Sequence, residues 1–118
     1  MVARSAMVET DDSTQVWDGV KPPGDEVVVI KRRVSAFAVS GLELILRSME
    51  VRHLVLTGIA TSGVVLGTLR QAADLDCELT VLSDACIDAD PELPRVLMDK
   101  VFARQARVMA VSDWIADV

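Results

Sequence analysis

The stretch His53–Cys86, "HLVLTGIATSGVVLGTLRQAADLDCELTVLSDAC", contains two apolar runs on either side of one helical pattern, and its reading decides the fold. "HLVLTG" and "ELTVLSD" have the near-continuous apolar character of strands buried on both faces of a parallel sheet. Between them, Val64, Val65, Leu69, Ala72 and Ala73 are apolar over Thr61 to Leu75; Thr61 or Ser62 can cap the start, and Asp74 marks the far end. Strand, helix, strand in this order is a βαβ unit.

The same signals recur outward in both directions. Upstream, "VVVI" at Val27–Ile30 reads as a buried strand, and Leu42, Ile45, Leu46 and Met49 follow at helical spacing behind a Ser40/Glu43 capping box. Downstream, Asp90-Pro91 opens a helix with the stripe Leu93, Val96, Leu97 and Val101. "ARVMAVSD" then supplies a further strand that ends at another helix start, Ser112-Asp113. Strand starts spaced by about 25 residues with a helix between each pair predict an α/β fold with a mainly parallel sheet. Residues 1–24 mix small polar groups and acids, show no sustained period and end in Pro22-Pro23-Gly24, so they read as an arm or linker before a domain over 25–118.

Composition narrows the function classes. The 118 residues are 51% hydrophobic with a formal net charge of -6, enough for one core and too acidic to favour a nucleic-acid backbone. No apolar run approaches the ~20 residues of a membrane span and no signal peptide opens the chain, so a cytoplasmic location is expected. Two cysteines and one histidine, Cys77, Cys86 and His53, cannot build a zinc-finger ligand set; no metal or cofactor is expected.

In a parallel sheet the chemistry gathers at the carboxyl ends of the strands, here "KRRVSAF", "GIATSGVV" and "SDACIDAD". Lys31 ends the first run, either as one of three solvated cations or turned into a cleft to hold a carboxylate. The turn Gly58–Val64 leads into a helix N-terminus, which serves either as a capped turn or as an anion site. Cys86 lies past its strand with no histidine nearby to activate it, and His53 begins its strand, at the wrong edge for a base. Asp84, Asp88 and Asp90 share the functional edge, where Asp90 caps a helix and the others order the loop.

With those residues in view, the chain from about Trp17 onward resembles the carboxyl-terminal two-thirds of isochorismatase-like hydrolases, the superfamily of nicotinamidases and N-carbamoyl amidohydrolases. "VVVIKRRVSAFAVSGLELILR" is similar to the family's strand, lysine, "SAF" and helix, and His53–Cys86 follows its central strand, turn, helix and strand. The resemblance implies a three-layer αβα sandwich, truncated here at its amino-terminal strand and helix. It also implies an aspartate, a lysine and a cysteine nucleophile acting on an amide. Lys31 matches the lysine, Ile59-Ala60 matches a dipeptide often held cis, and the amides of Ala60 and Val64 correspond to an oxyanion hole; Phe37 and Thr61 are carried over as substrate-binding positions. Val64 stands where the nucleophile belongs and cannot attack, and the family's aspartate and metal ligands fall in a region with no counterpart; Asp11 and Asp12 do not replace them.

The expectation is a family member of reduced or no independent activity, a pseudoenzyme in role, acting on or holding a small molecule. Its rivals are an active hydrolase of a small amide or vinyl ether that takes its acid from a partner subunit, and a small-carboxylate binding or assembly module. A sheet without its first strand exposes an unpaired edge, so a homo-oligomer is expected.

Overall fold

In the computed structural model, Gly24 and Glu26–Val118 are described; the arm read over 1–24, with Asp11 and Asp12, lies outside them apart from Gly24. The chain divides after Ile30, and Lys31–Val118 form one compact unit. On the near side of that division, Val27–Ile30 form no strand, and Val27, Val28 and Ile30 are exposed. The expectation of a buried strand at "VVVI" is therefore corrected. A strand exists through its ladder, and among the described residues no strand pairs with this run.

Within Lys31–Val118 the order is helix α1 (Leu42–Ser48), strand β1 (His53–Ile59), a π turn (Thr61–Val65) running into α2 (Leu66–Asp74), and strand β2 (Glu78–Ile87). Then come α3 (Glu92–Val96), extended by a π turn (Leu97–Val101) and a 3-10 turn (Phe102–Arg104), strand β3 (Arg107–Met109) and α4 (Val111–Asp117). The sheet order is β1-β2-β3 and both pairings are parallel, as the βαβ reading requires.

β2 is the central strand, and its residues Leu79 to Leu82 are all buried, whereas β1 alternates exposed and half-buried residues along its whole length. Leu79 and Val81 pack with Val65, Leu69 and Ala72 from the helix after β1 and with Leu97, Met98 and Phe102 from the helix after β2. Leu54, Leu56 and Val108, at matching register, are packed against that cluster. Thr80, of opposite parity, is buried too, and His53 Nε2 meets its Oγ1 at 2.9 Å. The histidine is thus a satisfied structural group.

Three local readings change. β2 runs to Ile87, so Asp84 and Cys86 lie in the strand, not beyond it. This follows from a register shift: Leu56 pairs with Val81 but Gly58 with Cys86, so β2 bulges opposite Gly58, whose φ of 133° only glycine adopts easily. α1 begins at Leu42 with Gly41 at its cap position; Ser40 Oγ accepts from the Leu42 amide at 3.3 Å, but Glu43 pairs with Arg47 at 2.9 Å in place of closing a capping box.

Two equivalent corners feed β1 and β2. After α1, Val51 N donates to Leu46 O (2.9 Å) with Glu50 left-handed at φ 57°, and after α2, Cys77 N donates to Ala72 O (3.0 Å) with Asp76 at φ 63°. Both are Schellman-type helix ends without the usual glycine.

The "VSAF" loop rests on α2. The Ala36 amide donates to Thr68 Oγ1 at 2.9 Å, Ser35 Oγ donates to Gln71 Oε1 at 2.6 Å, and a Cβ on Gly67 would stand 3.3 Å from Val34 Cγ1. Thr68→Val keeps the volume and removes the acceptor, stranding a half-buried amide. Urea titration is expected to show a loss of about 1–2 kcal/mol, and an unchanged midpoint would mean that this bond does not hold the loop.

Candidate active site

The candidate site is the turn that follows β1. The Ile59–Ala60 peptide is cis, and Ala60 is extended (φ -100°, ψ 151°) before the helical segment that runs from Thr61 to Asp74. The Ala60 carbonyl accepts from the amides of Gly63 (3.1 Å) and Val65 (3.3 Å). The Val64 amide, which would close the ordinary α-helical bond to that carbonyl, does not take it, because the first turn is wound as a π turn. The Val64 side chain packs against the core cluster. Thr61 is fully buried, and its Oγ1 has no hydrogen-bond partner among the described residues.

Neither Thr61 nor Ser62 caps the helix from its own side chain. The cap is Asp88, whose Oδ2 accepts from the Ser62 amide at 2.8 Å and from Ser62 Oγ at 2.5 Å. Register explains the meeting: Ile59 pairs with Ile87, so the residue after β2 stands beside the first residues after β1. The Ser62 side chain and then its amide hold the Asp88 carboxyl below the ordinary value. Sequence reasoning assigned Asp88 to loop ordering and missed this pairing; its signal was an acid one residue past one strand facing hydroxyls just past the neighbouring strand. Asp90 Oδ1 accepts from Glu92 N at 2.9 Å, the capping role expected of it, and Asp84 Oδ1 accepts from Val111 N at 2.8 Å at the start of α4.

The other expected residues are dispersed. Lys31 is exposed, and its Nζ donates to the Arg33 carbonyl at 2.6 Å; among the described residues no hydrogen bond or ion pair joins it to the turn. Phe37 is buried in the core and lines a cavity of about 770 Å³ with Leu46, Val51, Arg52, Leu75 and Cys77, at the amino ends of β1 and β2. That is the edge opposite Ala60. Cys86 is buried, and burial pushes its thiol up, a hydrogen bond from the Gly58 backbone draws it partly back, and the Asp84 charge raises it again. A thiol so placed is a weak nucleophile at neutral pH. Among the described residues no group of three or more His, Cys, Asp or Glu side chains could hold a metal, and no helix is long and apolar enough to cross a membrane.

The Asp88 cap has a definite pH signature. A carboxyl lowered in the folded state adds stability above its unfolded value, near pH 4, and that stability is lost as pH falls through the folded value. Carboxyl NMR titration of Ser62→Ala should show Asp88 moving up toward the ordinary range, and the stability gap between the parent and Asp88→Asn should close in acid. An Asp88 titration indifferent to Ser62→Ala would remove Ser62 as the cause.

Residues 2–113 match the model of the isochorismatase domain. The chain is 37% identical over 107 residues to the ureidoacrylate amidohydrolase RutB of Pseudomonas savastanoi pv. phaseolicola, a match covering 88% of this chain and 40% of that protein. An isochorismatase-like hydrolase from Alkaliphilus metalliredigens superposes with a TM-score of 0.88 at 27% identity, covering 93% of this chain and 61% of that one. An isochorismatase family protein from Burkholderia thailandensis does so with a TM-score of 0.75 at 29% identity, covering 78% and 48%. The chain thus spans less than two-thirds of the length of each. A family model matched along nearly the whole sequence, together with the parallel strands, places this chain in the isochorismatase family.

Proposed function

We propose that this isochorismatase-family chain binds a small carboxylate or carbonyl compound at the Ala60–Val64 turn and has reduced or no catalytic activity of its own. Val64 carries the proposal. Its side chain has no lone pair and is packed against the core, so covalent acyl chemistry has no nucleophile at the position where the family's cysteine hydrolases keep theirs. Neighbouring groups do not substitute for it: the Asp88 carboxylate is engaged by Ser62, and the Cys86 thiol is buried and pushed up.

Binding is favoured over turnover by the winding of the turn. Because the Ala60 carbonyl is taken by Gly63 and Val65, the Val64 amide is spared the regular helical bond, and with the Ala60 amide it forms the donor pair proposed for an anionic oxygen. Lys31 is proposed as the cation that accompanies the ligand once its ammonium leaves the Arg33 carbonyl. The amidohydrolase name of the 37% identical relative makes small carbamoyl and amide compounds the first ligands to try. A homo-oligomer in the cytoplasm completes the reading, supported by the two free thiols Cys77 and Cys86 and by a β1 edge that no other strand covers among the described residues.

The test compares the parent, Lys31→Ala and Val64→Cys on a panel of small amides, carbamoyl compounds and isochorismate, alongside calorimetric binding of the corresponding carboxylates. Background rates are expected in the parent and in Lys31→Ala, with carboxylate binding weakened about tenfold in the variant, roughly 1.4 kcal/mol. Turnover by the parent that Lys31→Ala abolishes would establish an active hydrolase and overturn the proposal.

A further inference from the structure

The first turn of the helical segment after β1 carries a fixed negative charge. Asp88 Oδ2 accepts from the Ser62 amide at 2.8 Å and from Ser62 Oγ at 2.5 Å, and its Oδ1 lies 3.5 Å from the Asp90 amide. All of these partners are neutral, so they orient the carboxylate without cancelling its charge. The Ser62 hydroxyl and then its amide also hold the carboxyl below its ordinary value, which keeps it ionised at neutral pH. The register that pairs Ile59 with Ile87 sets Asp88 in this place.

That charge bears on what the turn can hold. Ser62 lies midway between Ala60 and Val64, whose amides are the proposed donors, and residues two apart in a helix are roughly 5 Å from one another. Adding one hydrogen bond at each end places a ligand oxygen on that pair within roughly 10 Å of the Asp88 carboxylate, the range over which charges interact in ordinary salt. A ligand carboxylate would set one negative charge beside another and lose affinity by about three- to tenfold. A neutral carbonyl, as in an amide or a carbamoyl group, offers the same acceptor oxygen and escapes that loss. No cation is fixed at the turn to offset it: Lys31 Nζ is bonded to the Arg33 carbonyl at 2.6 Å. The other polar group there, the fully buried Thr61 Oγ1 with no hydrogen-bond partner among the described residues, is a hydroxyl and adds no positive charge.

We infer that Asp88 is the selectivity residue of the Ala60–Val64 turn: its carboxylate, fixed on Ser62, disfavours a ligand carboxylate and leaves neutral amide and carbamoyl carbonyls as the class the turn holds. The inference rests on the reading of that turn as a ligand site and deepens it by choosing between the two ligand classes. Capping alone does not call for an acid at this position, because Asn and Ser cap helix starts about as well as Asp.

The experiment titrates the full chain with two matched pairs, propionamide with propionate and benzamide with benzoate, each pair alike in shape and different in charge. The amide NMR signals of Ala60 and Val64 report binding at the turn. In the parent, each amide is expected to bind more tightly than its carboxylate. Asp88→Asn keeps an acceptor for Ser62 and removes the charge; it should strengthen each carboxylate about three- to tenfold and change each amide by less than about twofold. Asp84→Asn removes an equal charge at the start of α4 and should leave all four affinities as in the parent. If Asp88→Asn loses helical signal in circular dichroism, Asp88→Ser, another neutral cap, takes its place. A carboxylate-to-amide ratio that ignores loss of the Asp88 charge, or that Asp84→Asn shifts as far, overturns the selectivity and leaves the ligand site standing. Failure of all four compounds to move the Ala60 and Val64 signals, in the parent and in the Asp88 variant, overturns the ligand site and the selectivity together.

Discussion

Carboxylates set at the carboxyl edge of the sheet hold the starts of three helices. Asp88 accepts from Ser62, Asp90 from Glu92 and Asp84 from Val111, so the helical segment after β1, then α3 and α4, each begins against an acid from within or just beyond β2. The free amides of a helix start and the positive end of its dipole must meet an acceptor, and here the central strand and its following loop supply all three. The strand that organises the core therefore also fixes where the helices begin. This use has a chemical consequence: acids that look like candidate catalysts in a linear reading are already bonded to backbone amides.

Much of this architecture was legible because it rests on short-range pattern. The runs at His53, Glu78 and Arg107, and the helical stripes between them, are local signals that tertiary packing did not override. "VVVI" failed for the opposite reason. Its composition is that of a buried strand, but burial needs a neighbour, and a neighbour is not a local property. Cys86 was misplaced beyond its strand because a bulge in β2 compensates for Gly58 on β1, and no single-strand pattern contains that exchange.

The site was readable in its backbone and less so in its side chains. The cis Ile59–Ala60 peptide and the helix entry follow the family resemblance that "GIATSG" carries. The Ser62–Asp88 pair depends on the register between β1 and β2, which is set by the whole βαβ unit. Phe37 shows the limit of carrying a role over by position: an aromatic placed with the site by resemblance instead lines the opposite edge, beside Arg52 and Cys77.

The uncharged β1 edge has a bearing on colloidal behaviour. The chain carries 18 acidic against 12 basic side chains, and the mutual repulsion this excess gives at neutral pH fades as carboxylates protonate. Acid therefore removes the mutual repulsion between molecules. What is left is a strand that carries no Asp, Glu, Lys or Arg along its length.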